Sequence, residues 1–141
     1  MRLIIIVTGL ICLLAAPAIG QPYPEASEEV RAQAVKVTLK AQPKTVLVYA
    51  KGLCCPSCAI GIRKMLSRLD FVDTSGENQG IELDPKTQLV TMRLRKGHKY
   101  DARKVSQAID DAGYAPVSLF RLSKGKVVRE DITVQNPLLA D

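Results

Sequence analysis

Val46-Leu47-Val48-Tyr49-Ala50-Lys51-Gly52-Leu53-Cys54-Cys55-Pro56-Ser57-Cys58 joins a β-rich run to three closely spaced thiols. Val46, Val48 and Ala50 alternate with Thr45, Leu47 and Tyr49, which predicts a strand that Gly52 stops. Beyond the thiols, Ile62, Leu66 and Leu69 recur at helical spacing with Arg63, Lys64, Ser67 and Arg68 between them. That pattern predicts an amphipathic helix from about Ser57 to Asp70. The cysteines therefore occupy a strand-to-helix turn, and the elements on its C-terminal side fix the fold around it.

Downstream, Asp73 to Gly80 is a polar loop with two glycines, Ile81-Glu82-Leu83 a short strand, and Asp84-Pro85-Lys86-Thr87 a turn. Leu89 to Arg95 reads as a strand with Val90, Met92 and Leu94 on one face. The loop Lys96-Gly97-His98-Lys99 leads to Asp101, an N-cap residue for a helix carrying Ala102, Val105, Ile109 and Ala112. Gly113 ends that helix, and Tyr114 to Leu122 is a fourth strand. The order β-α-β-β-α-β predicts an α+β, ferredoxin-like domain over residues 44–122, an antiparallel sheet with both helices on one face. Residues 123–141 hold a further strand, Lys126 to Val134, folded onto the exposed edge, and a tail from Pro137. Residues 21–43 read as a tether. Within it, Val35, Val37 and Leu39 suit a short strand, while Ser27 to Lys40 suits a helix, and Pro43 closes either.

The first residues carry a different message. Met1-Arg2 is charged, Leu3 to Ala16 is almost unbroken apolar sequence, and Ala18-Ile19-Gly20 is a small-residue cleavage site. Residues 1–20 are therefore expected to be a secretory signal, and the mature chain to be periplasmic or otherwise exported, without stable membrane insertion. A bilayer-spanning helix needs about 20 apolar residues, more than this run supplies; retention as an anchor is the alternative. Cleavage removes Cys12 and Arg2 and lowers the formal charge from +6 to +5. Aromatics are 4% of the chain and Trp is missing, so no stacking platform accompanies the positive charge and nucleic acid is not an expected partner.

Cys54, Cys55 and Cys58 are too bunched to staple distant loops, so they bind something or do redox chemistry. A helix N-terminus presents unpaired N–H groups and partial positive charge, both of which favour thiolate over thiol. The x-x spacing of Cys55 and Cys58 brings two sulfurs to one point from the loop and the first helical turn. Two convergent thiolates suit Cu(I) or Hg(II). The rival reading is a thiol–disulfide oxidoreductase working through Cys55-Pro56-Ser57-Cys58; Pro116 is easily mistaken for the proline such enzymes place opposite their dithiol, but no Trp precedes the motif. A pair of inert thiols, or a merely structural disulfide, is the bland alternative. His98 reads as a solvated loop residue, Met65 and Met92 as core filler, and Asp84, Asp110 and Asp111 as turn and surface charges. No Ser/His/Asp constellation, paired carboxylates or phosphate loop is written in the chain, so an enzyme is not expected.

Three motifs carry a resemblance: Gly52-Leu53-Cys54-Cys55-Pro56-Ser57-Cys58, the helix spacing Ile62, Leu66, Leu69, and Ala108-Ile109-Asp110-Asp111-Ala112-Gly113-Tyr114. In this order they resemble the heavy-metal-associated domain family of copper chaperones, metal-pumping ATPases and the periplasmic mercury-binding protein. The family motif is G-M-x-C-x-x-C, and the resemblance covers a little over half of the chain. It implies Cys55 and Cys58 as ligands of a soft ion, Cu(I) or Hg(II), and Tyr114 as a shield beside the metal loop. Leu53 stands where the family has a Met tucked beneath that loop. Cys54 occupies the variable position, where zinc-type members carry a metal-reaching aspartate; it either supplies a third thiolate suited to Zn(II) or Cd(II), or points away. Phe71 replaces the glycine that usually follows the first helix, and the next loop is longer than usual. The implied function is that of a metallochaperone or scavenger, a monomer that exchanges its ion with a membrane metal transporter or another metal-accepting protein.

Overall fold

In the computed structural model, which describes residues 24–55, 57 and 59–133, the central strand is β1 (Thr45–Lys51). It pairs antiparallel with both β3 (Leu89–Arg93) and β4 (Ala115–Ser123). β2 (Ile81–Asp84) pairs with the outer side of β3, and β5 (Lys126–Asp131) with the outer side of β4. The order is β2-β3-β1-β4-β5, a ferredoxin-like sheet with one additional C-terminal edge strand. The proposed signal, Cys58, Val134 and the tail from Pro137 lie outside the described residues.

Helices α2 (Ala59–Leu66) and α3 (Ala102–Asp111) pack side by side on one face. There Ile62, Leu66, Val105 and Ile109 meet Val46, Val48, Ala50, Val90 and Met92, all essentially inaccessible to solvent. Asp101 caps α3, its carboxylate accepting the N–H groups of Arg103 at 2.9 Å and Lys104 at 3.2 Å, and Gly113 follows the helix at φ +89°. α2 is shorter than its periodicity predicted. After Leu66 the chain tightens: Arg68 and Leu69 donate to the carbonyls three residues back, Met65 and Leu66, at 3.3 and 3.1 Å. The tightening turns Phe71 into the core, where it is 3% exposed. Phe71 is thus a plug for one end of the core.

The stretch expected as a tether is not one from Pro24 onward. Glu28–Ala41 forms a helix, α1, capped by Ser27, with Glu28 and Glu29 in its first turn and Lys40 in its last. Its buried stripe is Arg31, Val35 and Leu39, one residue per four, while Val37 is 57% exposed. The alternation of Val35, Val37 and Leu39 was therefore coincidental. α1 covers the second face of the sheet, packing Val35 and Leu39 on Leu47, Tyr49, Leu89 and Phe120. With α1 in place, every residue from Thr45 to Ala50 is buried.

Arg31 locks that helix down. Its Nε donates to the Thr87 carbonyl at 3.1 Å, and Nη2 donates to the Ala26 carbonyl at 2.9 Å and to Gln88 Oε1 at 3.2 Å. The guanidinium lies 3.6 Å from the centroid of the Tyr49 ring, whose hydroxyl donates to Glu25. Arg31→Ala is expected to cost roughly 2–4 kcal/mol, because it strands the buried Thr87 carbonyl and removes the cover of Tyr49. The exposed Lys36→Ala should stay within about 0.5 kcal/mol of wild type. Urea unfolding midpoints measure both; equal midpoints would refute the clamp.

Candidate functional site

β1 ends in a turn that only glycine adopts easily. Gly52 sits at φ +93°, and the next residue, Leu53, drops back into the core with no exposed surface. Its N–H points to the Ala50 carbonyl at 3.4 Å, folding the chain tightly over the strand end. Cys54 and Cys55 follow on this loop, each half-buried. Leu53 therefore anchors the loop from below.

The two cysteines differ in oxidation state. Cys54 is a free thiol, whereas Cys55 is disulfide-bonded, with its partner sulfur outside the described residues. Ser57 lies 3.2 Å from Cys55 Sγ, and since a disulfide sulfur has no hydrogen, the Ser57 hydroxyl donates. Helix α2 then begins at the buried Ala59, with Ile60 beside the loop 71% exposed.

Tyr114 reaches this loop from the start of β4, the strand beside β1. Lys51 pairs with Ala115, and Ala50 with Pro116, across a bulge that follows Tyr49 in the β1–β4 ladder. That register brings Tyr114 beside Gly52: a Cβ on Gly52 would lie 3.8 Å from the Tyr114 Cδ1 atom. Burial raises the Tyr114 phenol above its ordinary value, and the negative charge of Cys54 adds to the rise. Pro116 lies opposite Ala50 in the strand ladder, at the irregularity where a missing N–H is tolerated.

Cys54, Cys55 and Tyr114 are thus brought to one end of the sheet. His98 is on a loop at the other end, Met92 is fully buried in the core, and Asp84 is consumed by its turn, accepting from Lys86 N–H and Thr87 Oγ1. Among the described residues no three His, Cys, Asp or Glu side chains converge as a metal site. Cys54 and Cys55 consequently have no carboxylate or imidazole as a third described donor. Sequence reasoning missed the support behind the loop: Gln88, held by Arg31, accepts the Ala50 N–H at 3.1 Å through its carbonyl. The available signal was Arg31 in register with Val35 and Leu39, a cation on an apolar stripe.

A titration tests the Tyr114–Cys54 proximity. The raised folded value means the native state disfavours phenolate, so the stabilisation is present below the ordinary value of 10.0 and is lost as pH rises through the folded value. The difference in phenolate absorbance between wild type and Tyr114→Phe should rise above pH 10.0 in the folded protein. Cys54→Ser should move that transition down but leave it above the ordinary value, since burial remains. A Tyr114 transition unaffected by Cys54→Ser would separate the two side chains.

Among the described residues no helix is long and apolar enough to cross a membrane. The chain matches no protein-family model, no curated protein and no solved structure.

Proposed function

We propose that this is an exported protein that carries a soft metal ion, Cu(I) or Hg(II), between the thiolates of Cys55 and Cys58 and passes it on by ligand exchange. The single observation that carries the reading is the loop itself. Gly52 turns it, Leu53 anchors it in the core, Tyr114 flanks it, and Cys54 and Cys55 are left half-buried on top. Such a loop holds sulfur in a fixed place yet within reach of a partner. Reduction of the Cys55 disulfide by a dithiol, which itself closes to a disulfide, frees the Cys55 thiolate. In transfer, an incoming thiolate forms a bond to the ion as one cysteine sulfur leaves, with no change in oxidation state. The ion is cargo, and the partner is a membrane metal transporter or another metal-accepting protein.

The disulfide at Cys55 also favours a second reading, a thiol–disulfide oxidoreductase of the Cys55-Pro56-Ser57-Cys58 type. The two separate in solution. Anaerobically reduced protein titrated with Cu(I) against a competing chelator should bind one ion per chain. Cys55→Ser and Cys58→Ser should each lose most of that affinity with unchanged far-ultraviolet circular dichroism. Turnover in insulin reduction without Cu(I) binding would instead establish the oxidoreductase.

Cys54 sets the choice of ion if it joins the coordination sphere. A third thiolate raises the coordination number toward what Zn(II) and Cd(II) accept over linear Cu(I). In that case Cys54→Ser loses Cd(II) and Zn(II) affinity far more than Hg(II) or Cu(I) affinity. An equal, small loss across all four metals puts Cys54 outside the sphere, facing Tyr114.

A further inference from the structure

The sheet has two chemically different ends. β1 is antiparallel to β3 and β4, so the start of β1 lies with the ends of β3 and β4, and the cysteine loop lies at the opposite end. Register makes this concrete: Thr45 is opposite Arg93, Val46 is opposite Arg121, and the Leu94 N–H donates to the Lys44 carbonyl at 3.2 Å. Seven residues of β1, at about 3.3 Å each, separate the two ends by roughly 20 Å.

Cations crowd the end away from the thiols. The α1–β1 loop carries Lys44, the β3–α3 loop carries Arg95, Lys96 and Lys99, and the β4–β5 hairpin carries Lys124 and Lys126, all exposed. Among the described residues none of the six lies within ion-pair distance of a carboxylate. Of the nearby acids, Asp73 pairs with Arg93 at 3.1 Å, Asp70 pairs with Lys104 at 3.8 Å and Asp101 caps α3, while the exposed Glu82 lines a groove with Lys44 and Arg93. Tyr100 donates to Glu130 at 3.1 Å. The cysteine end is mixed: Glu25, Asp84, Asp110, Asp111 and Asp131 are interspersed with Arg31, Lys51, Lys86 and Arg129, and Arg129 pairs with Asp131 at 3.1 Å. Cations without an ion-pair partner among the described residues are therefore concentrated at the end away from the thiols.

We infer that the basic end docks on an anionic phospholipid surface and holds the cysteine loop away from the bilayer. Three features select lipid headgroups over an acidic protein. The six cations come from three separate loops, and four of the five exposed lysines among them are on or beside the two reversing loops, free to follow a fluid array of phosphates. A stable protein interface centres on buried aromatic or Arg anchors in a desolvated pocket; this end offers no exposed aromatic anchor among the described residues, and five of its six cations are Lys. Each lysine near an anionic membrane adds its attraction nearly independently, so a scattered set suffices. Because the cations are gathered at one end of β1, docking there leaves the cysteine loop roughly 20 Å from the surface. The inference stands apart from the thiol chemistry, and its failure leaves the metal reading untouched.

The test is flotation of the purified protein with vesicles of phosphatidylcholine alone or mixed with phosphatidylglycerol. Two charge-matched triples are compared with wild type: Lys96→Gln/Lys99→Gln/Lys124→Gln at the basic end, and Lys36→Gln/Lys51→Gln/Lys86→Gln elsewhere. All three proteins share one N-terminal sequence, so residues 3–16 contribute equally wherever they are retained. Wild type should favour the phosphatidylglycerol vesicles, and salt should release that extra binding. The basic-end triple should lose it by on the order of a hundredfold, and the other triple should keep most of it. Equal losses in the two triples, no preference for acidic vesicles, or binding to polyglutamate but not to vesicles would each overturn the inference.

Discussion

β1 is hydrogen-bonded along both edges and buried on both faces, and the rest of the domain answers to that constraint. A strand in this position needs a partner on each side and an apolar cover above and below. β3 and β4 supply the edges, α2 and α3 cover Val46, Val48 and Ala50, and α1 covers Leu47 and Tyr49. Because β1 cannot shift without exposing one of its two apolar sets, its end is a fixed point. The loop that begins at Gly52 inherits that rigidity, and with it the positions of Cys54 and Cys55.

The layer above the sheet was legible from the residues. Ile62 and Leu66, then Val105 and Ile109, keep the helical period without interruption, and glycines stand at the turns that need them. The layer below was hidden. Val35, Val37 and Leu39 satisfy a two-residue period as well as Val35 and Leu39 satisfy a four-residue one, and only the exposed Val37 separates them. Arg31 compounds the ambiguity, since a cation on the buried stripe argues against a buried stripe until Tyr49, Thr87 and Gln88 are known to receive it. At the site, the turn at Gly52 and the buried Leu53 followed from the motif. The oxidation state did not: clustered thiols look the same in sequence whether reduced or joined, and Cys55 is disulfide-bonded while Cys54 is free.

That difference has a chemical consequence for metal carriage. A disulfide sulfur is a poor ligand, so on the proposed reading Cys55 must be reduced before it holds the ion. A bound ion would in turn protect the thiolates it holds from oxidation. Leu53 and the Gly52 turn fix the loop on the end of β1 with Cys55 in its disulfide.

The central claim is that two thiolates, those of Cys55 and Cys58, hold the cargo ion. X-ray absorption at the copper edge, on anaerobically reduced protein loaded with one equivalent of Cu(I), addresses it directly. The account predicts a first shell made of sulfur alone, lost when both cysteines are replaced by serine. A shell dominated by nitrogen or oxygen, or a sulfur shell that survives the double replacement, would contradict it.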